Sequence, residues 1–319
     1  MTPGAVSGSG GPPAPLRIGI DIGGTKIHAV ALAPDGRVRS QIEAASTRGP
    51  AGVLGGICSV VHELTSADGM SVSELSSVGI GIPGQVDTRT GTVRQAINLD
   101  VDEWQLADAV FDALGIRPAI DNDVNAAALG ARDLLGVPDS MAYLNLGTGV
   151  AAGLIVNGAL LRGSQGGAGE IGHLSIDPAG PRCECGQRGC IEAFSGGAAL
   201  ARRSGSDLPH PLRQVLASAD RGDLRAVVLR DGFAMGVAAA VRALVLSADV
   251  ERVILGGGVT ALGDDLVDLV STALRASVEH SPFLRSLRLE ERISVLPRSL
   301  NAPAIGAALL PESLAQSWR

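Results

Sequence analysis

The sequence predicts an α/β protein built from two domains. At 319 residues the chain is about twice the roughly 150 residues of one domain. Strand-like apolar runs alternate with helical periodicity, the pattern of a largely parallel sheet. One short motif also occurs twice: Ile20-Asp21-Ile22-Gly23-Gly24-Thr25 is echoed by Leu144-Asn145-Leu146-Gly147-Thr148-Gly149. Each reads as strand, Gly/Thr turn, strand. The echo is either chance, since glycine-rich hairpins are common, or the mark of two similar domains facing one another.

In chain order, residues 1–16 are Gly, Pro, Ala and Ser with little to bury, and read as a disordered tail. Leu16–Asp21 and Ile27–Leu32 are strands flanking the first turn, and Val38–Glu43 is a third. Val53, Ile57, Val61 and Leu64 recur at helical spacing, and Val78–Ile82 is a buried strand. Leu106, Val110 and Leu114 mark a helix ended by Gly115. Val124–Leu135 is an alanine-rich helix. The uncharged run Ser140–Leu161 is long enough to span a bilayer, but Asn145, Asn157 and its glycines divide it into two buried strands joined by a turn. Arg252–Leu255 is a strand running into Gly256-Gly257-Gly258. The hinge between domains is placed at Ile120–Asn122 and again at Asn301–Gly306, where the last helix returns to the first domain.

Composition excludes some partners. The formal charge is −7 and aromatics are 2% of residues, which argues against nucleic-acid binding. The first charged residue is Arg17, so the N-terminus has no basic secretory leader, and a cytoplasmic protein without membrane contact is expected. Of 26 basic residues only Lys26 is lysine, and it lies within the first turn. A compact ammonium differs from a guanidinium fork at a crowded phosphate.

Both turns suit phosphate, because glycines admit an anion close to the backbone and successive amides form a nest. Thr25 and Thr148 add hydroxyl donors. Asp21 would repel phosphate unless Mg²⁺ or its water shell stood between them; alternatively it caps the turn. The three glycines at 256–258 leave room for a flat ring or sugar-phosphate, or form an ordinary tight turn. Asp121-Asn122-Asp123 precedes a helix and is either its cap or, through Asp123, a general base. Gly84 and Asn98 sit in loops after strands, where polar groups can meet a ligand.

Cys183, Cys185 and Cys190 lie within eight positions, with His173 upstream in Gly-Glu-Ile-Gly-His. Three thiols and an imidazole suit a closed Zn²⁺ site; a disulfide would leave one cysteine over. Cys58, on an apolar helix, reads as a small core residue.

Together these motifs resemble the ROK family of bacterial sugar kinases and repressors, from about Arg17 to about Leu310. The resemblance rests on Asp21–Lys26, Gly81–Gly84, Asn98-Leu99, Asn122-Asp123, Leu146–Gly149, Glu170–His173, Cys183–Cys190 with Glu192, and Leu255–Val259. It implies the actin-like ATPase (ribonuclease H-like) fold, with domains at 17–121 plus about 301–319 and at 122–300, and an active-site cleft between them. By the same resemblance Asp123 is the catalytic base, and Gly84, Asn98, Asn122, Glu170, His173 and Glu192 hold the sugar hydroxyls. His173, Cys183, Cys185 and Cys190 would bind structural Zn²⁺. Asp21, Gly23, Gly24, Thr25, Lys26, Gly147, Thr148 and Gly149 would face the triphosphate of Mg²⁺·ATP, and Gly256, Gly257 and Gly258 the adenosine.

The implied activity is ATP-dependent phosphorylation of a hexose 6-hydroxyl, glucose first, by a homodimer or homotetramer. Fructose, N-acetylglucosamine or N-acetylmannosamine are the alternative acceptors, and a non-catalytic sugar-responsive regulator is the alternative class. Repressors of the family carry an N-terminal helix-turn-helix domain, for which the tail before Arg17 is too short and polar. Ala151 and Ala152 depart from the family's usual glycines beside the second turn, and Asn145 stands where the wider superfamily has aspartate.

Overall fold

The computed structural model describes residues 15–137, 139–208, 211–297 and 300–317. The expected disordered tail lies almost wholly outside the described residues.

The chain begins with β1 (Arg17–Ile22), β2 (Lys26–Leu32), β3 (Val38–Ala45), α1 (Pro50–Ala67), β4 (Ser77–Ile82), β5 (Gln85–Asp87), β6 (Thr92–Ala96), β7 (Val101–Gln105), α2 (Leu106–Leu114) and β8 (Ala119–Asn122). Then come α3 (Asp123–Leu135), β9 (Met141–Leu146), β10 (Val150–Val156), β11 (Ala159–Leu161), α4 (Ile191–Ser195), α5 (Gly197–Ser204), α6 (Leu212–Asp220) and α7 (Leu224–Ala248). The chain closes with β12 (Arg252–Gly256), α8 (Asp264–Val278), α9 (Pro282–Ser286), β13 (Ile293–Val295) and α10 (Ala302–Ser317).

The motif echo is a fold echo. The first sheet has the order β3-β2-β1-β4-β8 and the second β11-β10-β9-β12-β13. In both, the strand before the glycine turn pairs antiparallel with its successor and parallel with the next strand inward. Asp21 near the end of β1 and Asn145 near the end of β9 line one cavity, so the carboxyl ends of both central strands meet there.

Apolar periodicity explains the layers. Helix α1 buries Val53, Ile57, Val60, Val61 and Leu64 in the first core. Helix α7 buries Phe233, Val237, Val241 and Leu244 in the second. Although α7 has the length and apolarity of a membrane span, half of that stretch is buried inside the protein. Cys58 is half-buried on α1 rather than fully in the core.

Helices α3 and α10 form the layer between the sheets. They touch backbone to backbone, since a Cβ on Gly306 would fall 1.7 Å from the Ala126 carbonyl and one on Gly130 1.9 Å from that of Ala302. The alanine-rich composition of both helices is what permits so close a crossing. Gly19 and Gly79 let α10 lie equally close on the first sheet.

Three expectations need correction. The sheets are mixed rather than largely parallel, because the first three strands of each add two antiparallel pairings to the two parallel ones. Ser140–Leu161 forms three strands, with β11 added after the second turn, because Asn157 and Gly158 adopt positive φ and fold a further hairpin. The antiparallel sheet β5-β6-β7 was not foreseen, since its strands are three to five residues long and mix charged with apolar side chains. Gly84 and Asn98 still fall in its connections, the latter in a 3₁₀ turn at Ile97–Leu99.

Candidate active site

Asp21 ends β1 and Asp123 opens α3, and both reach one side of Gly81. A Cβ there would lie 3.4 Å from the Asp123 Cα and 3.7 Å from Asp21 Oδ1. The two carboxylates line a cavity of about 530 Å³ between the domains, with Tyr143, Asn145, Gly257, Gly258 and Thr260 opposite. Burial, and then the charge of Asp123, pushes the Asp21 carboxyl up to about 8. Burial raises Asp123 to about 6; its own bond from the Val124 N–H (3.0 Å) opposes that rise, and Glu170 adds to it. A carboxylate poised near neutrality at a helix N-terminus is chemically a proton acceptor.

Asn122 is the N-cap of α3. Its Oδ1 accepts from the Val124 N–H at 2.9 Å and its Nδ2 donates to the Gly84 carbonyl at 3.1 Å. The side chain thus spans the two loops expected to hold an acceptor. Gly84 is at φ 99°, and a Cβ there would meet the Arg94 carbonyl at 2.5 Å, so the close turn needs glycine. Behind them Asp121 is buried, paired to Arg162 Nε at 2.7 Å and accepting from Asn125 Nδ2 at 2.9 Å.

The first turn is closed by the Gly23 N–H donating to the Lys26 carbonyl, and Gly24 abuts Asn98. Thr25 is exposed beside them. Lys26 Nζ lies 2.5 Å from Glu43 Oε1 across the strand pair, so its charge is engaged there. In the second turn the Gly147 N–H donates to the Gly149 carbonyl. The turn is also bound from outside. Gly197 and Ala198, at the start of α5, donate to the carbonyls of Gly147 and Thr148, and Glu192 Oε2 accepts from the Val150 N–H at 2.9 Å. At the third glycine run Gly257 and Gly258 line the cleft, whereas Gly256 is pressed against the Tyr143 ring.

His173 lies beyond the second turn, with Nε2 4.0 Å from Glu170 and Nδ1 3.8 Å from Cys183 Sγ. The ligand atoms of His173, Cys183, Cys185 and Cys190 all lie within 4.8 Å of one another. Cys185 and Cys190 sulfurs are 3.7 Å apart, far longer than a disulfide and close to the ~3.8 Å tetrahedral edge that ~2.3 Å Zn–S bonds would give. Gln187 lowers the Cys185 thiol to about 6, while burial pushes Cys190 up to about 12. Glu192 Oε1, 4.0 Å from Cys183 Sγ, ties this cluster to the second turn.

Sequence reasoning named most of these residues but missed Tyr143 and Thr260 in the cleft, and Arg202. The last lines a cavity of about 190 Å³ with Asn98, Thr148, Gly149 and Glu192. No local motif marks any of the three; their place follows from packing between distant segments.

Two duplicated domains with opposed glycine turns and a carboxylate in the cleft define an actin-like ATPase fold with a small-molecule site. Residues 17–313 match the ROK family, and the chain belongs to it. The chain is 30% identical to a glucokinase of Halalkalibacterium halodurans over 272 residues, 78% of this chain and 82% of that one. Among solved structures it is similar to a ROK hexokinase from Thermus thermophilus, with a TM-score of 0.78, 28% identity and 95% and 99% of the two chains covered. A ROK family glucokinase from Streptomyces griseus, in complex with glucose and AMPPNP, has a TM-score of 0.75 at 30% identity, covering 92% and 98%.

Proposed function

We propose that the protein is an ATP-dependent hexokinase that phosphorylates the 6-hydroxyl of glucose, with Asp123 as general base. The observation that carries this is Asp123 itself, a carboxyl raised to about 6 at the start of α3, in a cavity shared with Asp21 and Asn145 on the strands that lead into the two glycine turns. Family membership and the glucokinase relatives support both reaction and acceptor.

In the proposed step the hexose O6 forms a bond to the γ-phosphorus as the bond to the β,γ-bridging oxygen breaks, and the hydroxyl proton passes to Asp123. An aspartate is too weak to ionise an alcohol beforehand, so proton transfer is late and positioning dominates. The amides of Gly23–Thr25 and Gly147–Gly149 would bind the triphosphate, and Gly257-Gly258 the adenosine side. Gly84, Asn98, Asn122, Glu170, His173 and Glu192 would pair with sugar hydroxyls, so that a missing hydroxyl leaves buried polar groups unpaired. Mg²⁺, held near Asp21, would neutralise charge on the phosphates.

The Cys₃His donor set fits Zn²⁺ in number, chemistry and spacing. Bound there, zinc would fix the His173 ring through Nδ1. Nε2 would then carry the proton and face Glu170 and the acceptor.

The first domain is taken as 17–121 plus 301–319 and the second as 122–300, closing about Ile120–Asn122 and Asn301–Gly306. A cytoplasmic homodimer or homotetramer fits the exposed apolar residues Leu224, Val228 and Met235 on α7. An ADP-release assay with glucose, fructose, mannose and the N-acetyl hexosamines tests the function. Highest kcat/KM with glucose is the expected result; an N-acetyl sugar equal or better would reassign the acceptor, and sugar binding without ADP would indicate a regulator.

A further inference from the structure

An ATP kinase must neutralise a highly charged donor, yet the described residues lining the cleft cavity beside Asp21 and Asp123 include no lysine or arginine. Lys26 pairs with Glu43 across the strand pair and lines neither this cavity nor the one at the second glycine turn. Another cation stands beside the second turn. In the 190 Å³ cavity at Thr148 and Gly149 it is Arg202, the sole basic side chain among the described lining residues.

We propose that Arg202 binds the donor's polyphosphate at the second glycine turn, leaving Glu184 when the donor arrives. This rests on the kinase reading above and extends it to a residue that no motif assigned. Arg202 is carried by α5, the helix whose first N–H groups hold the carbonyls of Gly147 and Thr148 at 2.9 and 3.0 Å. Side chains on a helix lean toward its N-terminus, so Arg202 is directed back over the turn that α5 anchors. Its Nη1 lies 2.6 Å from Glu184 Oε1, with side-chain exposures of 51% and 73%. An exposed pair of this kind is weak, and a polyphosphate carries several times the charge of one carboxylate. The adjacent Arg203 cannot serve, because its guanidinium stacks 5.5 Å from the Phe194 ring and donates to the Ala193 carbonyl. Glu184 sits between Cys183 and Cys185, so the resting position of Arg202 is set by the cysteine loop.

The test compares Arg202→Gln, Arg202→Lys and Glu184→Gln with the wild type. The readouts are ATP KM, kcat, hexose Kd by calorimetry and Tm. Arg202→Gln is expected to raise ATP KM about tenfold and lower kcat by a similar factor, with Tm unchanged and hexose Kd moved by less than ATP KM, since Asn98 and Glu192 line the same cavity. Arg202→Lys should fall between, and Glu184→Gln should leave ATP KM equal or lower. The idea fails if Arg202→Gln keeps both constants within twofold of wild type, or if Glu184→Gln reproduces its effects, which would make the pair structural. Should the wild type release no ADP with any hexose, the kinase reading fails separately. Calorimetric affinity for a non-hydrolysable ATP analogue, wild type against Arg202→Gln, then still decides the role of Arg202.

Discussion

Asp123 performs two tasks with one side chain: it accepts the Val124 N–H at the start of α3 and faces the cleft. In the proposed reaction its ionised form is the competent base, and burial holds the carboxyl at about 6. Turnover should therefore rise with pH through about 6 and level off above it. Asp123→Asn should cut kcat by about 10²–10⁴ while calorimetry still detects the hexose; undiminished phosphorylation would remove Asp123 from the reaction. Asp21 makes the opposite contribution to the fold. Its carboxyl, near 4 in an unfolded chain, is raised to about 8 by burial and by Asp123, so the folded state retains a proton that the unfolded state releases. The stability this carries is complete below about pH 4 and lost as pH rises through about 8. Asp21→Asn, without magnesium, should then raise Tm at pH 8 by a few degrees, at about 2–4 °C per kcal/mol, while abolishing activity. A lower Tm would contradict the burial argument.

Among the elements, the cysteine loop joins stability to recognition. One zinc per chain by elemental analysis is expected, and a strong chelator should lower Tm and weaken hexose binding together, because both proposed sites include His173. Loss of zinc with unchanged hexose affinity would separate the two. The crossing of α3 and α10 makes a sterically simpler prediction. Gly306→Val places a branched side chain where even a Cβ would be 1.7 Å from the Ala126 carbonyl. The helices must part, at a cost of about 3 kcal/mol or more, read as a lowered urea midpoint.

At the scale of the molecule, the two sheets and the α3–α10 layer bring Asp21 and Asp123 to one wall of a cavity that Tyr143, Asn145, Gly257 and Gly258, from the second sheet and its turns, also line. Closure on the acceptor should reduce the radius of gyration in solution scattering when glucose is added. An unchanged radius, with binding confirmed by calorimetry, would argue for a preformed site. Much of this architecture was legible in the chain. β1, β2, β4, α1, α2 and β12 lie where apolar periodicity puts them, and the repeated Gly/Thr motif anticipated the repeated sheet. The small sheet β5-β6-β7 was not, because strands of three to five residues carry too little alternation to stand out from loops.

Local chemistry was the readable part: glycine turns, the cap before α3, and three cysteines crowded beside an upstream histidine. Such features depend on neighbours in sequence, so the chain discloses them directly. Glu192 reaches the Val150 amide across 42 residues of chain, Tyr143 lies under Gly256, and Arg202 stands over Thr148. Those meetings depend on how two sheets and the helices between them close-pack, a property of the whole core that no short stretch encodes.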